Sequence, residues 1–535
     1  MGFKIPRYND YLKGDKLLYA ITACCLQGFL LFGYDQGQMS NVIGKDQFLT
    51  YFGHPGAGRK GDITGSYDLG AVGGSVLCFF IGEKTGRRNI TLLGTGFLLL
   101  GTVLLSTAQN IAWLIAGRVV TGVGTGICTS TLPTLQSECS PSNKRGALST
   151  LQGTTTILGV CTAYWVGYGT SFKKSDFEWR FVFAFQGVFA LALFFQALFL
   201  PTGTPRWLVT KGRYEEAQLL ISDLHNQPVD SPEVEAKFFD IKTAVEDEYK
   251  AGPFKYKELF TMGETQNFRR LSLNLMLVVM HQWSGTNFIN YYLPIIFEDT
   301  MGFDSNMSSI LGGSAIIVYL ISSISPVFIM DRFGRRTLGI FCSIGISLCM
   351  IMCAILLSLD KQATSSAAVS FIFLYQVFYA FGFLPLPWFW GTEFNITRLR
   401  ARVSAIASAF NWVNVYIIVK ITPILMQNMK WRVFIIFGVL NAIWVPIIYC
   451  FFPETAGIAL EDIDLMFHRG GITGGVFATR GKVVQPHAHF DLEASKNVGA
   501  ELNFGENENG KPNAKKDVEF VEYANGNNSS VTSIN

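Results

Sequence analysis

Charged residues are scarce in this chain of 535 residues. Only 16% are Asp, Glu, Lys or Arg, whereas soluble domains average about a quarter. Apolar residues make up 49%, so most of the chain is better suited to lipid than to water. The net charge of +3 gives no electrostatic reason to expect a nucleic-acid partner. The composition therefore predicts a membrane protein, and the twelve spans described below predict that it is an all-α membrane protein.

Patterns for catalysis and metal binding are also missing. The ten Cys residues lie mostly within apolar stretches, and none forms a C-x-x-C pair, so they are interpreted as core residues. The sequence contains no Ser–His–Asp set and no phosphate-binding loop with supporting context. We therefore expect no enzyme, no cofactor and no metal site.

Twelve apolar stretches are each long enough to cross a bilayer core, which takes about 20 helical residues. They lie near residues 18–40, 65–83, 90–108, 111–136, 146–168, 180–201, 270–298, 307–330, 338–358, 366–391, 401–426 and 432–452. These stretches predict twelve transmembrane helices in two six-helix bundles.

The bundles divide the chain into five predicted segments. These are a short N-terminal segment (1–17), the first bundle (18–201), a linker with short helices (202–269), the second bundle (270–452) and a polar, mostly disordered tail (453–535). Basic loops alternate with loops that contain no Lys or Arg, such as 108–111 and 299–306. The positive-inside rule then places both termini in the cytoplasm, and the plasma membrane is the expected location.

One charged loop occurs twice, about 250 residues apart, at 82–88 and at 331–336. Each copy is followed by a Glu that lies seven residues before an Arg, at Glu138 and at Glu393. Two pseudo-symmetric halves with a solute site between them are the usual layout of a transporter. The charged residues of both copies are expected to gate the cytoplasmic side: Arg87, Arg88, Glu138 and Arg145, and Arg335, Arg336, Glu393 and Arg400. Positive-inside topology alone explains the Arg residues but not the two matched Glu residues.

Two opposite charges, Asp35 and Arg118, lie at similar depth inside spans 1 and 4. Ionisable residues within a membrane are costly and mark ion pathways by default. Contact with Arg118 favours ionised Asp35, and separation in a less hydrated site favours proton uptake, so the pair can act as a proton-coupled switch. The alternative is a static ion pair that only ties two helices together.

Polar side chains cluster in the second half of the chain. Gln282 and Asn287 of span 7 can face one cavity, Asn411 lies in span 11, and Trp388 follows a Pro-Leu-Pro break in span 10. Amides donate and accept hydrogen bonds, and aromatic faces suit the C–H side of a sugar or polyol. The set predicts a site for a small polyhydroxy solute, although any one amide alone would suit contacts between helices.

Jointly, these motifs resemble those of the sugar porters of the major facilitator superfamily, in the fungal branch. The resemblance extends from about residue 15 to about 467 and rests on Gly86-Arg87-Arg88, Gly117 through Gly122, Arg145-Gly146, Glu178-Trp179-Arg180, Pro205-Arg206-Trp207-Leu208, Gln282 through Asn287, Gly334-Arg335-Arg336, Pro387-Trp388, Asn411-Trp412 and Pro453-Glu454-Thr455. Gly124-Thr125-Gly126, Thr129-Ser130-Thr131 and Ala163-Tyr164-Trp165 further resemble the yeast glycerol–proton symporter subgroup. The resemblance implies the major facilitator fold and alternating access.

The resemblance also implies roles for single residues. Gln282, Asn287, Trp388 and Asn411 match substrate-binding positions, Tyr291 and Tyr292 match the outer gate aromatics, and Asp35 and Arg118 match the proton pair of the symporters. The chain departs from the family pattern inside the site, with Gly153 for a Gln, His281 for a Gln and Tyr319 near an Asn. His281, and Gln152 beside Gly153, are therefore added to the expected substrate-binding residues.

The expected function is proton-coupled import of a monosaccharide, or of glycerol or another polyol, by a monomer in the lipid bilayer. An uncoupled sugar facilitator is the alternative, and a transporter-like nutrient sensor is a more remote one because the tail is short and unpatterned. Asn306, in a loop expected to face outward, is an expected glycosylation site.

Overall fold

A computed structural model of the chain describes residues 6–250, 255–263 and 265–456, and five isolated residues between 463 and 476. Within these ranges every regular element is a helix, so the prediction of an all-α fold is confirmed. The tail that was predicted to be disordered lies almost wholly outside the described residues.

Twelve helical rods in the described ranges correspond one to one with the twelve predicted spans. They are α1 (Asp15–Val42), α2 (Ala57–Thr85), α3 (Arg87–Ser106), α4 (Ile111–Cys139), α5 (Ser142–Thr170), α6 (Phe177–Leu198), α7 (Asn267–His281 and Asn287–Ile295), α8 (Ser305–Ser322 and Pro326–Phe333), α9 (Arg335–Ser358), α10 (Gln362–Phe381 and Leu386–Glu393), α11 (Thr397–Met429) and α12 (Arg432–Phe451). Shorter helices lie outside the rods at Tyr8–Tyr11, Asp46–Tyr51, Pro205–Thr210, Tyr214–His225, Pro232–Lys250 and Tyr256–Phe260.

Hydropathy separates two of the rods from the others. By length and composition alone, nine helical stretches of the described chain could cross a membrane, and one of them, Arg402–Phe451, covers both α11 and α12. The stretches leave out α5, which is rich in Thr and Gly, and α7, which polar residues interrupt. Both rods line the central cavity described below, so they need less apolar surface than rods that face lipid.

Large apolar side chains cover the outer faces of several rods. The most exposed on the rods include Phe80 of α2, Val103 of α3, Phe328 of α8 and Leu348 of α9. Exposed apolar surface on this scale marks a contact with lipid or with another protein. Together with the length of the rods, it supports a multi-pass membrane protein.

The two halves match locally and meet through paired contacts. Gly86 between α2 and α3 has φ +83° and ψ 159°, and Gly334 between α8 and α9 has φ +88° and ψ 156°. The halves meet where α1 packs on α7, α2 on α11 and α5 on α8. If α1 to α6 are matched in order with α7 to α12, then α2 corresponds to α8 and α5 to α11, so the α2–α11 contact corresponds to the α8–α5 contact. A two-fold relation between the halves requires this exchange.

Candidate functional site

A central cavity of about 3030 Å³ lies between the halves and extends to the linker helices Pro205–Thr210, Tyr214–His225 and Pro232–Lys250. It opens at the end of the bundle that carries the two charged loops, which we call the arginine end. The opposite end is called the closed end. Lining residues from α1, α5, α7, α8, α10 and α11 include Phe32, Gln152, His281, Gln282, Asn287, Asn290, Tyr291, Tyr319, Trp388 and Asn411.

A chain of amides lies in the wall of this cavity. Gln282 Nε2 donates to Asn411 Oδ1 at 2.6 Å, and Asn287 Nδ2 donates to Gln282 Oε1 at 2.5 Å. Beside it, Gln376 Nε2 donates to Asn290 Oδ1 at 2.8 Å. Each amide is held in place by another and still has donor or acceptor capacity for a solute. Three of the four motif-matched positions therefore meet at one point, although they come from two rods.

The bend in α7 positions this chain. A short π-helical segment, Gln282–Thr286, interrupts the rod, and Gly285 within it has φ +101°. Such a conformation is open to Gly but strained for residues with a Cβ atom. The bend places Gln282 at the start of the interruption and Asn287 just after it, so both amides reach the same part of the cavity.

Aromatic and imidazole groups form the adjoining wall. His281 Nδ1 lies 2.7 Å from the Phe383 carbonyl and 3.0 Å from Tyr379 Oη, and the Tyr379 ring packs against Tyr319. The indole of Trp388 is 48% exposed and faces the cavity. Gln152 is buried at the lining, and its Nε2 has no hydrogen-bond partner among the described residues. All six predicted substrate-binding residues therefore line one cavity.

Hydroxyl groups of the first half seal the closed end against α7. Ser40 Oγ of α1 and Tyr164 Oη of α5 both donate to the Asn290 carbonyl, at 2.6 and 2.7 Å. This carbonyl is available because the residue four positions later is Pro294, which has no N–H to complete the helical bond. An ion pair between Asp62 of α2 and Lys420 of α11, at 3.1 Å, adds a second contact between the halves.

The two predicted gate tyrosines are buried on the same side of the site. Tyr292 Oη donates to the Val419 carbonyl of α11 at 3.0 Å. Tyr291 lines the cavity, and its hydroxyl makes no hydrogen bond of regular geometry among the described residues. Asn306, the predicted glycosylation site, is exposed near the first turn of α8.

The charged loops form the same network in each half. Arg87 pairs with Glu138 at 3.1 Å, and Thr204 Oγ1 donates to the other Glu138 oxygen at 2.5 Å. Arg335 pairs with Glu393 at 3.2 Å, and Thr455 Oγ1 donates to it at 2.5 Å. Burial raises the pKa of Glu393, and the Arg335 guanidinium opposes that shift. The sequence analysis did not identify Thr204 and Thr455 as partners of the two Glu residues. Each Thr ends a short segment that begins with Pro directly after its bundle, at 201–204 and at 453–455.

The remaining basic residues of these networks bind backbone carbonyls. Arg88 donates to Leu198, Arg336 to Tyr449 and Arg400 to Asn395. The side chain of Arg145 lies outside the described structure. Each Arg–Glu pair joins helices of one half, and the cavity mouth separates the halves at this end. The pairs therefore do not close the mouth in this conformation.

Asp35 and Arg118 are both fully buried but form no ion pair here. The Asp35 oxygens accept from Gln38 Nε2 at 2.7 Å and from Thr125 Oγ1 at 3.4 Å. Arg118 donates to the Thr64 carbonyl at 3.2 Å and lies over the Tyr67 ring at 4.6 Å. The two side chains make no direct contact in this conformation, because Gln38 and Thr125 supply the hydrogen bonds of Asp35 and the guanidinium of Arg118 turns toward α2.

Sequence reasoning missed a second buried carboxylate, Asp68 of α2, which is also fully buried. It lies within the predicted span 65–83, so the rule that singled out Asp35 would also have found it. Among the described residues no group of three or more His, Cys, Asp or Glu side chains could hold a metal ion.

Comparisons with known proteins place these features in context. Residues 20–467 match the family model described as "Sugar (and other) transporter". The MFS-type transporter oryC of Aspergillus oryzae is 35% identical over 463 residues, covering 85% of this chain and 86% of that protein. The sugar transporter STL1 of Saccharomyces cerevisiae is 35% identical over 472 residues, covering 85% and 82%. A high-affinity glucose transporter of Kluyveromyces lactis is 28% identical over 487 residues, covering 87% and 86%.

Solved structures show the same fold. The proton:xylose symporter XylE bound to 6-bromo-6-deoxy-D-glucose superposes with a TM-score of 0.71 at 21% identity, covering 85% of this chain and 100% of that one. The inward open form of XylE from E. coli gives 0.69 at 21% identity, covering 84% and 99%. The predicted major facilitator fold is thereby confirmed.

Proposed function

The chain belongs to the sugar (and other) transporter family, and from that premise we propose that it imports a small polyhydroxy solute together with a proton by alternating access. The amide chain of Gln282, Asn287 and Asn411 in the wall of the central cavity carries this proposal. The solute class is a monosaccharide, or glycerol or another polyol. Transport makes no chemical change in the solute.

The chemistry of the cavity wall suits such a solute. Hydroxyl groups of the solute can replace one amide partner in each amide–amide hydrogen bond. Solute binding therefore exchanges one hydrogen bond for another and leaves no buried polar group unpaired. The exposed face of Trp388 offers apolar contact to the C–H side of the solute. His281 and Gln152 add further polar atoms at the lining. Relatives named as sugar and glucose transporters support the same class of solute.

The structure supports one of the two states that alternating access needs. The cavity opens at the arginine end, and hydroxyl–carbonyl contacts seal the closed end. We assign the arginine end to the cytoplasm by the positive-inside rule, so this state faces inward. Both termini are then cytoplasmic, and we place the protein in the plasma membrane. One chain encloses the whole cavity, which supports action as a monomer.

Proton coupling rests on Asp35 and Arg118. Both are buried at a depth where a charge is costly, and neither lines the central cavity. Their separation in this conformation is compatible with a switch whose contacts change between states. The hydrogen bonds that Asp35 makes without Arg118 favour a second candidate, an uncoupled facilitator in which Asp35 is structural.

The deciding experiment is uptake by a yeast host that lacks its own transporters. Radiolabelled glucose, xylose, arabinose, lactose and glycerol are offered at acidic and at neutral external pH, and the external pH is recorded. We expect at least one solute to accumulate above its external concentration, with alkalinisation of the medium and collapse on addition of a protonophore. The control is the same host with an empty vector.

Two other results would contradict the proposal. Uptake that stops at equilibrium without any change of pH would identify a facilitator. No uptake of any of these solutes, with normal surface expression, would rule out the proposed solute class.

Selectivity provides a further prediction at Gly153 of α5. A Cβ atom added to Gly153 meets no heavy atom within 4 Å, and the residue lines the cavity. Gly153→Gln should therefore fold, with about 1 kcal/mol of added helix stability because Gly is a poor helix former. It should change the ratio of initial uptake rates between hexoses and glycerol several-fold, since a new amide narrows the site. Gly153→Ala is the matched control, and equal ratios in both variants would remove Gly153 from the site.

A further inference from the structure

Asp68 is a fully buried carboxylate to which the proposed function assigns no role. Neither of its oxygens accepts a hydrogen bond of regular geometry among the described residues. It lies eleven residues after the start of α2, roughly 16 Å along the helix axis from the closed end. An ionised carboxylate in such a place is strongly unfavourable unless it is paired.

The groups nearest to Asp68 are also short of partners. Arg118 and Tyr291 are the polar side chains that interact with it, and the Tyr291 hydroxyl lies within hydrogen-bonding reach of its carboxylate. Arg118 Nε and Nη1 and Tyr291 Oη make no hydrogen bond of regular geometry within the described structure. Three complementary groups with unused hydrogen-bonding capacity therefore surround one point between α2, α4 and α7.

Close packing holds this point together. A Cβ atom at Gly122 of α4 would lie 2.0 Å from the Tyr67 carbonyl of α2, so the two backbones approach as closely as glycine allows. Arg118 of α4 and Tyr291 and Tyr292 of α7 interact with Asp68. The other titratable or charged groups on the rods packed around them are Asp35 of α1, Tyr67 and Asp62 of α2, and Lys420 of α11. Lys420 pairs with Asp62 nearer the closed end.

The charge balance of this set is uneven. Asp35 and Asp68 carry two negative charges when ionised, and Arg118 supplies one positive charge. One guanidinium can neutralise only one carboxylate, so a set without water is left with one excess negative charge. A proton on either carboxylate removes the excess, and the two groups then titrate as a coupled pair.

We propose that Asp68 is a second proton-binding residue, which shares Arg118 with Asp35 and carries the proton in this conformation. The inference rests on the proposed function and extends its proton site. Asp35 accepts two hydrogen bonds, which favour its ionised form, whereas Asp68 accepts no hydrogen bond of regular geometry and has only the Tyr291 hydroxyl within reach. A proton adds to one Asp68 oxygen to give the neutral acid, and it leaves to water when Arg118 becomes its partner. Tyr291 lines the central cavity and lies on the route to it.

Uptake by Asp68→Asn distinguishes this scheme from one in which Asp35 alone binds the proton. In this variant the charge of ionised Asp35 is balanced by the charge of Arg118, so no proton is needed to neutralise the group. It should therefore lose accumulation above the external concentration but keep exchange of labelled for unlabelled solute, as Asp35→Asn should. Asp360→Asn, the same change at an exposed loop residue, is the control and should accumulate normally. Accumulation by Asp68→Asn at the wild-type level would overturn the proposal while leaving the proposed function intact.

A second measurement does not depend on transport. The infrared spectrum of the purified full-length protein at neutral pH should show the C=O band of a protonated carboxylic acid, seen as the difference between the wild type and each Asp68 variant. The band should be absent from Asp68→Asn and should shift in Asp68→Glu. The Glu variant keeps the acid and covers the case in which the Asn variant does not fold. A band unchanged by both substitutions, or no such band in the wild type, would overturn the proposal even if the wild type proves to be a facilitator.

Discussion

Replacement of Asp35 by Asn is expected to abolish uphill accumulation while downhill movement of the solute continues. Asn resembles the protonated acid in shape and carries no charge, so the step that requires proton release can no longer follow the proton gradient. A proton moving through 100 mV supplies about 2.3 kcal/mol, which supports roughly a fiftyfold solute gradient in the wild type. The steady-state ratio of internal to external labelled solute should therefore fall from that fiftyfold gradient to a ratio of one.

The control for this prediction lies on the same helix. Asp15 of α1 is 63% exposed and forms a surface ion pair with Lys144, which contributes little to stability. Asp15→Asn therefore makes the same chemical change at the other end of α1 and should accumulate solute normally. Full accumulation by Asp35→Asn would mean that the buried carboxylate serves structure alone.

Replacement of Asn287 by Ala should reduce solute uptake by ten- to a hundredfold in kcat/KM. The substitution removes an amide from the cavity wall and leaves Gln282 Oε1 without its donor, and a buried acceptor left unsatisfied costs about 1–3 kcal/mol. Ala is a good helix former, so surface expression should be preserved. Initial rates over a range of solute concentrations, normalised to surface protein, measure the effect.

Asn414→Ala is the matched control for this variant. Asn414 of α11 is also a buried amide, and it accepts from Trp283 Nε1 at 3.0 Å, but it does not line the cavity. Its loss should therefore affect stability more than uptake. Equal losses of uptake in the two variants would show that Asn287 acts through packing, and the proposed site would then be wrong.

The fold could be predicted because the features that indicate it can be recognised along the sequence without knowledge of tertiary contacts. Apolar length marks a membrane span regardless of what packs around it, and the duplicated loop identifies the two halves. The residues of α7 were harder to interpret, since its bend at Gly285 interrupts both the helical pattern and the apolar run. The polar interruption that weakens the span signal is the part that lines the cavity.

The site could be predicted only as a set of positions. Depth along a helix follows from residue number, but side-chain direction depends on neighbours from other helices. Asp35 and Arg118 lie at matching depth, yet Gln38 and Thr125 take the hydrogen bonds of Asp35. The role of Pro294 needed the structure as well, because the carbonyl that it releases matters only where Ser40 and Tyr164 approach from the other half.

The size of the central cavity connects the transport cycle to osmotic pressure. At about 30 Å³ for each molecule of liquid water, 3030 Å³ corresponds to on the order of 100 water molecules. In alternating access, closure of the arginine end returns part of this water to the compartment on that side. Osmolytes too large to enter the cavity draw water from it, so their accumulation on that side disfavours the open state. The balance between the two states therefore responds to the solute content of that compartment, even for solutes that the protein never binds.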